Sequence, residues 1–284
     1  MTNVPLPQTQ PNAVYIVDLN YFIYSGHYAV YLSSRGKAMG GAYTTIKNLL
    51  RVRKMSPYVI IALDSEYSFK KERAKSYKSH RVHVPEIQYQ REAVIAFLVT
   101  MGLPLAREHG YEADDVIATL AYHFRKHKRP SVIVGVDKDL CALVNEYCFM
   151  LNMSNGRYMD RIGVVSQYGA APEIFEDFLA LVGDPADGFK GMPGIGKMGA
   201  KMLLQQFGSI KGMLENVEKM PDSYKRKFSD EKNIALLRES IIMAALDRNV
   251  PNLEKHYNPK EHSFNKDAFN ELCEFHGFKS LIQL

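Results

Sequence analysis

No stretch of this 284-residue sequence approaches the roughly 20 consecutive apolar residues that a membrane-spanning helix needs. The start, Val4-Pro5-Leu6-Pro7 with Pro11 behind it, lacks the basic and apolar segments of a secretion signal and reads as a loose tail over residues 1–12. Cysteine is scarce. Cys141, Cys148 and Cys273 are odd in number and have no C-x-x-C spacing, which argues against a disulfide framework and a thiolate zinc site. Cys141, inside Leu140-Cys141-Ala142-Leu143-Val144, is expected in the core. His80 and His83 do not stand at a zinc-ligand spacing, and His27 reads as structural or as a phosphate neighbour. No internal repeat is visible. These absences predict a soluble protein of a reducing, cytoplasmic compartment (the host cytoplasm for a phage protein), with no membrane partner.

What is present is an ordinary globular composition, 46% hydrophobic and 24% charged, in a chain long enough for one large domain or two smaller ones. The formal net charge of +5 suits a polyanionic partner without demanding one. Its distribution says more. Between Phe69 and Arg81 the six cations Lys70, Lys71, Arg73, Lys75, Lys78 and Arg81 face the single carboxylate of Glu72. Such a run is either a solvated basic helix or a phosphate-gripping segment, with Tyr77 as a base-stacking platform. The second reading is favoured because this one run carries much of a small net charge.

Three continuous apolar runs, Ala13–Val17, Tyr58–Leu63 and Ser131–Val136, have the pattern of strands buried on both faces. Each leads into aspartate: Asp18, Asp64, and Asp137-Lys138-Asp139. In open α/β sheets, ligands sit beyond the carboxyl ends of the strands. Between the runs, Gly36, Gly40 and Gly41 predict a loop, and Tyr43–Arg53 predicts a helix. Pro85 opens a helix whose apolar face is Ile87, Val94, Ile95, Leu98 and Val99, and a short strand follows near Pro104-Leu105-Ala106. Asn155-Gly156 marks a hairpin turn between 149–153 and 157–159. Pro172 suits the first turn of a helix reaching Val182, beyond which the pattern is helical, including 233–246 and 267–276.

Tyr111-Glu112-Ala113-Asp114-Asp115-Val116 packs three acids into one turn without a cation, at the head of a helix with the apolar stripe Ala113, Val116, Ile117, Leu120, Ala121 and Phe124. One or two acids there would merely complement the helix dipole. Three repel one another unless a cation holds them. Gly183-Asp184-Pro185-Ala186-Asp187-Gly188 adds two acids in a loop. Gly194-Ile195-Gly196-Lys197-Met198-Gly199 matches G-x-G-x-x-G, but no strand precedes it, and Met198 stands where a Walker A loop needs Ser or Thr. Two readings remain for it: a glycine turn whose backbone N–H groups face a phosphate beside Lys197 and Lys201, or a tight connection between two helices.

Together these motifs resemble the 5′ nuclease family, which includes the nuclease domain of bacterial DNA polymerase I, free-standing phage 5′–3′ exonucleases and flap endonucleases. The likeness runs from about Val14 to Phe207. Val17-Asp18 and Leu63-Asp64 resemble its first two acid motifs, and Glu112-Ala113-Asp114-Asp115 its acidic box. Asp137-Lys138-Asp139 and Gly183-Asp184 with Asp187 resemble its later acid pairs. Phe69 through Arg81 looks like its arch, and Pro193-Gly194-Ile195-Gly196 like its helix-three-turn-helix. The resemblance implies an α/β fold: a PIN-like nuclease core with a central, mostly parallel sheet flanked by helices, over 13–181 with a basic arch about 67–91. A helical region carrying the helix-three-turn-helix occupies 182–284.

It also implies two Mg²⁺ ions, with Mn²⁺ as a substitute. Asp18, Asp64, Glu112 and Asp114 would hold or flank the first, and Asp115, Asp137, Asp139, Asp184 and Asp187 the second. Lys78 and Arg81 would face the scissile phosphate. Lys70, Lys71, Arg73, Lys75 and Tyr77 would contact DNA from the arch, and Gly194, Gly196, Lys197 and Lys201 from the helix-three-turn-helix, where a K⁺ ion is implied. The expected chemistry is two-metal hydrolysis of DNA, with a flap, nicked or gapped duplex as substrate and 5′-phosphate and 3′-hydroxyl as products. A monomer is expected, with a separate DNA polymerase or single-strand-binding protein as partner. Leu19 stands where the family usually has Gly, Ser25 and Lys70 where it has Arg, and Ala186-Asp187-Gly188 where it has Ser-Asp-Asn. No acid is missing, so these differences are expected to alter substrate grip rather than catalysis. The alternatives are a nuclease on the same fold that removes RNA primers from RNA–DNA hybrids, and a protein that binds branched DNA without cutting it.

Overall fold

The structure is a computed structural model and describes residues 12–73, 77–79 and 84–282. Lys75, Arg81, His80, His83 and all but the last residue of the expected tail lie outside the described residues. The chain opens with strand β1 (Val14–Asp18), helix α1 (Leu19–Ala29), a hairpin of β2 (Ser33–Ser34) and β3 (Lys37–Ala38), and α2 (Gly40–Met55). Next come β4 (Val59–Ala62), α3 (Phe69–Arg73), α4 (Pro85–Thr100), β5 (Leu105–Ala106) and α5 (Ala113–Lys126). Strands β6 (Ser131–Val134), β7 (Cys148–Asn152) and β8 (Arg157–Met159) precede α6 (Arg161–Tyr168) and α7 (Phe175–Val182). The α-helices that follow are α8 (Lys197–Phe207), α9 (Ile210–Glu215), α10 (Asp222–Phe228), α11 (Glu231–Ala244) and α12 (Lys266–His276). No helix among the described residues is long and apolar enough to cross a membrane.

Six strands form one sheet in the order β5-β4-β1-β6-β7-β8, parallel except for β8. Strand β1 pairs with β4 on one side and β6 on the other, so the strand order reverses at β1 and opens a crevice at its carboxyl end. Val14 and Ile16 of β1 join Ile60, Ile133 and the α5 stripe on one face. Tyr15 and Val17 join Ile61, Val132 and Ile46 of α2 on the other. Burial on both faces explains why these strands read as unbroken apolar runs. Cys141 is fully buried, as its apolar surroundings predict.

Gly40 and Gly41 do not form the predicted loop: they begin α2. A Cβ on Gly40 would sit 1.8 Å from the Val30 carbonyl oxygen, and one on Gly41 would sit 2.4 Å from that of Ile23. These glycines let α2 cross closely over α1, a packing requirement that resembles a loop signal in sequence. Val99 is exposed rather than part of the α4 core face, which is made by Ile87, Gln90, Ala93, Val94, Phe97 and Leu98. Near the chain end, α12 returns to α4: the rings of Phe97 and Phe269 are 5.2 Å apart, and Cys273, Phe278 and Leu281 complete that side of the core.

Candidate functional site

The acids at the strand ends are oriented by backbone caps. Asp18 caps α1 by accepting the Tyr21 N–H at 3.1 Å. Asp64, just beyond β4, accepts the Ala113 N–H at 2.7 Å and the side-chain amide of Asn20, which ties β4 to the starts of both α1 and α5. Asp137 accepts the Asp139 N–H at 3.1 Å and caps the short 3₁₀ turn Lys138–Leu143. Asp18, Asp64, Asp114, Asp137, Asp184 and Asp187 line one cleft of about 710 Å³, together with Lys78 and Arg91.

Of these, Asp184 and Asp187 join the buried Asp139 in a carboxylate triad whose ligand oxygens all lie within 4.8 Å of one another. Asp139 Oδ1 is buried and has no hydrogen-bond donor. A buried carboxylate oxygen without a partner fits a cation ligand, and a set made only of carboxylates suits a hard divalent ion. The Lys138 ammonium already lies 2.7 Å from Asp184 Oδ2.

Burial and mutual repulsion push these acids away from the ordinary carboxylate range. Burial raises Asp18 to about 7; the Tyr21 N–H opposes the rise, while Asp64 and Asp137 add to it. Burial, then Asp137, Asp187 and Asp184, raise Asp139 to about 7. Burial followed by Asp137 places Asp114 well above its usual value, and burial raises Asp64 against the Ala113 N–H. A bound divalent cation would reverse these directions.

Two acids of the Glu112–Asp115 box do not line the cleft. Glu112 Oε2 receives the Lys78 ammonium at 2.6 Å and the Tyr77 hydroxyl at 2.9 Å, and its Oε1 receives the Ser68 hydroxyl at 3.0 Å. Burial would raise the Glu112 carboxyl, but Lys78 more than offsets that and lowers it. Asp115 Oδ1 lies 3.0 Å from the Lys70 ammonium and accepts the Asp247 N–H at 2.9 Å. Both acids, expected to hold or flank the metals, are engaged here by Lys78 and Lys70 at the base of the arch.

Tyr77 is only 3% exposed, so it cannot present a face to a nucleobase as expected. Lys70 is likewise turned inward onto Asp115, and its side chain is 14% exposed. Lys71 and Arg73 are exposed on α3. Lys78 adopts φ +50° and donates its backbone N–H to the Asp187 carbonyl at 2.8 Å. The arch base is thereby fastened to the last acidic loop.

Between α7 and α8, Gly194 has φ +72° and its carbonyl accepts the Lys227 ammonium at 2.8 Å. Gly196 caps α8 without a side chain, and Gly196 and Lys197 are exposed. Lys201 is half-buried against Gly169. Sequence reasoning passed over Arg91, whose Nη2 donates to Asn20 Oδ1 at 3.2 Å. A signal was present: Arg91 falls four residues from Ile87 and three from Val94, an arginine set into an apolar helix face. His27 bonds through Nδ1 to Gln90 Nε2 at 2.8 Å, which favours its structural reading.

The family description "5′-3′ exonuclease, N-terminal resolvase-like domain" matches residues 13–169, and "5′-3′ exonuclease, C-terminal SAM fold" matches residues 170–265. The chain is 32% identical over 238 residues to the 5′-3′ exonuclease of Buchnera aphidicola subsp. Schizaphis graminum, covering 81% of this chain and 82% of that one. It is 34% identical over 214 residues to DNA polymerase I of Pseudomonas aeruginosa, covering 73% of this chain but 23% of the polymerase. Among solved structures, the flap endonuclease of bacteriophage T5 with DNA and metal ions matches at a TM-score of 0.68 and 16% identity, over 93% of this chain and 99% of that one. At that identity the likeness is one of fold.

Proposed function

We propose, on the premise that this chain belongs to the 5′-3′ exonuclease family, that it is a metal-dependent, structure-specific 5′ nuclease with exonuclease and flap endonuclease activity on DNA. The observation that carries this reading is the convergence of six carboxylates on one cleft beside Lys78 and Arg91, from three parallel strand ends, α5 and the 184–187 loop. Asp18, Asp64, Asp114 and Asp137, with Asp139, Asp184 and Asp187, would hold two Mg²⁺ or Mn²⁺ ions. When bound, such ions activate water and neutralise charge on the attacking and leaving oxygens of an in-line displacement.

The chain's own groups do the rest. Glu112 keeps Lys78 charged: burial alone would lower the ammonium, but Glu112 holds it well above its usual value. Lys78 stands at the cleft as an electrostatic partner for the scissile phosphate, beside Arg91. Lys71 and Arg73, with Lys75 and Arg81, would approach the substrate backbone from the arch. The exposed start of α8, with Gly194, Gly196 and Lys197, would grip duplex phosphates, aided by a K⁺ ion on loop carbonyls. The products would be a 5′-phosphate and a 3′-hydroxyl. Identity with part of DNA polymerase I supports a role in replication or repair beside a polymerase.

The test is cleavage of a 5′-labelled flap duplex with and without Mg²⁺, beside Asp137→Asn. Release of a short 5′ fragment that needs the metal and is lost in the variant is expected. Tight binding with no cleavage in Mg²⁺ or Mn²⁺ would favour a protein that only binds branched DNA. Faster cleavage of an RNA–DNA hybrid than of a DNA flap would move the substrate to RNA primers.

A further inference from the structure

Tyr21, Tyr24 and Tyr28 recur at spacings of three and four residues, which aligns them along one side of α1, and Tyr31 follows just past the helix end. Asp18 of the carboxylate cleft caps α1, so this row starts at the cleft and follows its wall outward. Tyr21, Tyr24 and Tyr28 line that cleft. Exposure rises along the row, from half-buried Tyr21 to 39% for Tyr24, 73% for Tyr28 and 101% for Tyr31. Tyr21 packs partly on the core, but Tyr24, Tyr28 and Tyr31 do not, because α1 buries Leu19, Phe22, Ile23 and Gly26 instead. His27, bonded to Gln90, stands edge-on to Tyr28 with ring centroids 5.0 Å apart and buttresses it.

The row is electrostatically suited to a polyanion. The sequence from Leu19 to Leu63 has no carboxylate, and the two cations nearest the row in sequence are Arg35 and Lys37. The row ends at the β2–β3 hairpin, whose exposed tip carries Arg35 and Lys37. Arg35 lies over the Phe275 ring and Lys37 over the Tyr89 ring, each 3.6 Å from the centroid, which seats both cations at the surface. Exposed aromatic rings interleaved with cations form a stacking platform for unpaired bases, because every base has a π-face. A protein partner would also meet this face, but its continuity with the cleft and the exposed Arg35 and Lys37 favour a single nucleic-acid strand.

We propose that Tyr24, Tyr28 and Tyr31 form a track that stacks the unpaired bases of a strand entering the carboxylate cleft, with Arg35 and Lys37 gripping its phosphates. This deepens the nuclease reading and rests on it for the direction of the strand. The track reads bases as flat surfaces, so it selects single-stranded over base-paired ends and is indifferent to sequence.

The test compares two 5′-flap duplexes of equal length, one with normal bases and one with an abasic flap. Binding is measured in Ca²⁺, with 2-aminopurine in the flap to report stacking. The full chain, Tyr28→Ala/Tyr31→Ala and Tyr28→Phe/Tyr31→Phe are compared; both positions are exposed, so their folding is preserved. The native protein should prefer the base-bearing flap by about tenfold or more and quench its 2-aminopurine. The alanine variant should lose both preference and quenching, and the phenylalanine variant should keep them. An unchanged preference in the alanine variant, or no preference in the native protein, would overturn the track. If Mg²⁺ supports no cleavage while the preference persists, the nuclease reading fails and the track stands.

Discussion

Replacing Glu112 with alanine tests the electrostatic core of the site. Its carboxylate holds Lys78 at 2.6 Å, with side-chain exposures of 10% for Lys78 and 8% for Glu112. The variant leaves a buried ammonium uncompensated and also removes the acceptor for Tyr77 and Ser68. Removing one partner of such a pair costs about 3–5 kcal/mol. At about 2 °C per kcal/mol for a chain of this size, Tm should fall by about 6–10 °C. A urea-unfolding cycle with Glu112→Ala, Lys78→Met and the double variant should give a coupling of about 2 kcal/mol or more.

The pH dependence gives an independent check. The Glu112 carboxyl is lowered by folding, so its stabilisation is present above the ordinary glutamate value of 4.5 and is lost as pH falls through the lower folded value. The native protein should show that acid loss, and Glu112→Ala should lack this contribution. A coupling below about 0.5 kcal/mol, the size of ordinary non-interacting scatter, would refute the anchoring role. An unchanged acid slope would do so as well. Cleavage should also fall by about 100-fold, because Lys78 would be displaced from the scissile phosphate.

Folding raises Asp18 and Asp139 to about 7, so their contribution to stability is greatest at low pH and is lost as pH rises through that value. In EDTA, Tm measured from about pH 5 to 8 should therefore drop through this contribution, and Mn²⁺ should flatten the drop by favouring the ionised carboxylates. An unaltered profile on adding Mn²⁺ would count against cation binding here. Gly40→Ala should destabilise by about 1–3 kcal/mol in urea titrations, because its Cβ meets the Val30 carbonyl, while Gly196→Ala, with nothing within 4 Å, should be close to neutral. Equal effects at the two positions would refute the close helix crossing. Phe269→Ala should cost about 3–5 kcal/mol, since it removes a fully buried ring packed on Phe97. A loss below about 1 kcal/mol would mean that α12 contributes little to the core.

The sequence by itself determined the parts of this protein that depend on neighbours along the chain. Apolar runs ending in Asp18, Asp64 and Asp137 specify buried parallel strands with acids at their carboxyl ends, because burial on both faces leaves no alternation to read. The order of acid motifs, the Asn155-Gly156 hairpin and the change to helices after α7 were legible for the same local reason. Roles set through space were not. Glu112, Asp114 and Asp115 are near neighbours in sequence, yet the helix turns them to different surroundings, and only Asp114 lines the cleft. The cations that claim Glu112 and Asp115 come from Lys78 and Lys70 in a distant segment. Gly40 and Gly41 needed α1 beside them to become packing residues, and Tyr77 needed Glu112 above its hydroxyl to become a buried donor. Tertiary structure decided these roles because a carboxylate's charge state and partners depend on what surrounds it in space, which residue spacing along the chain does not encode.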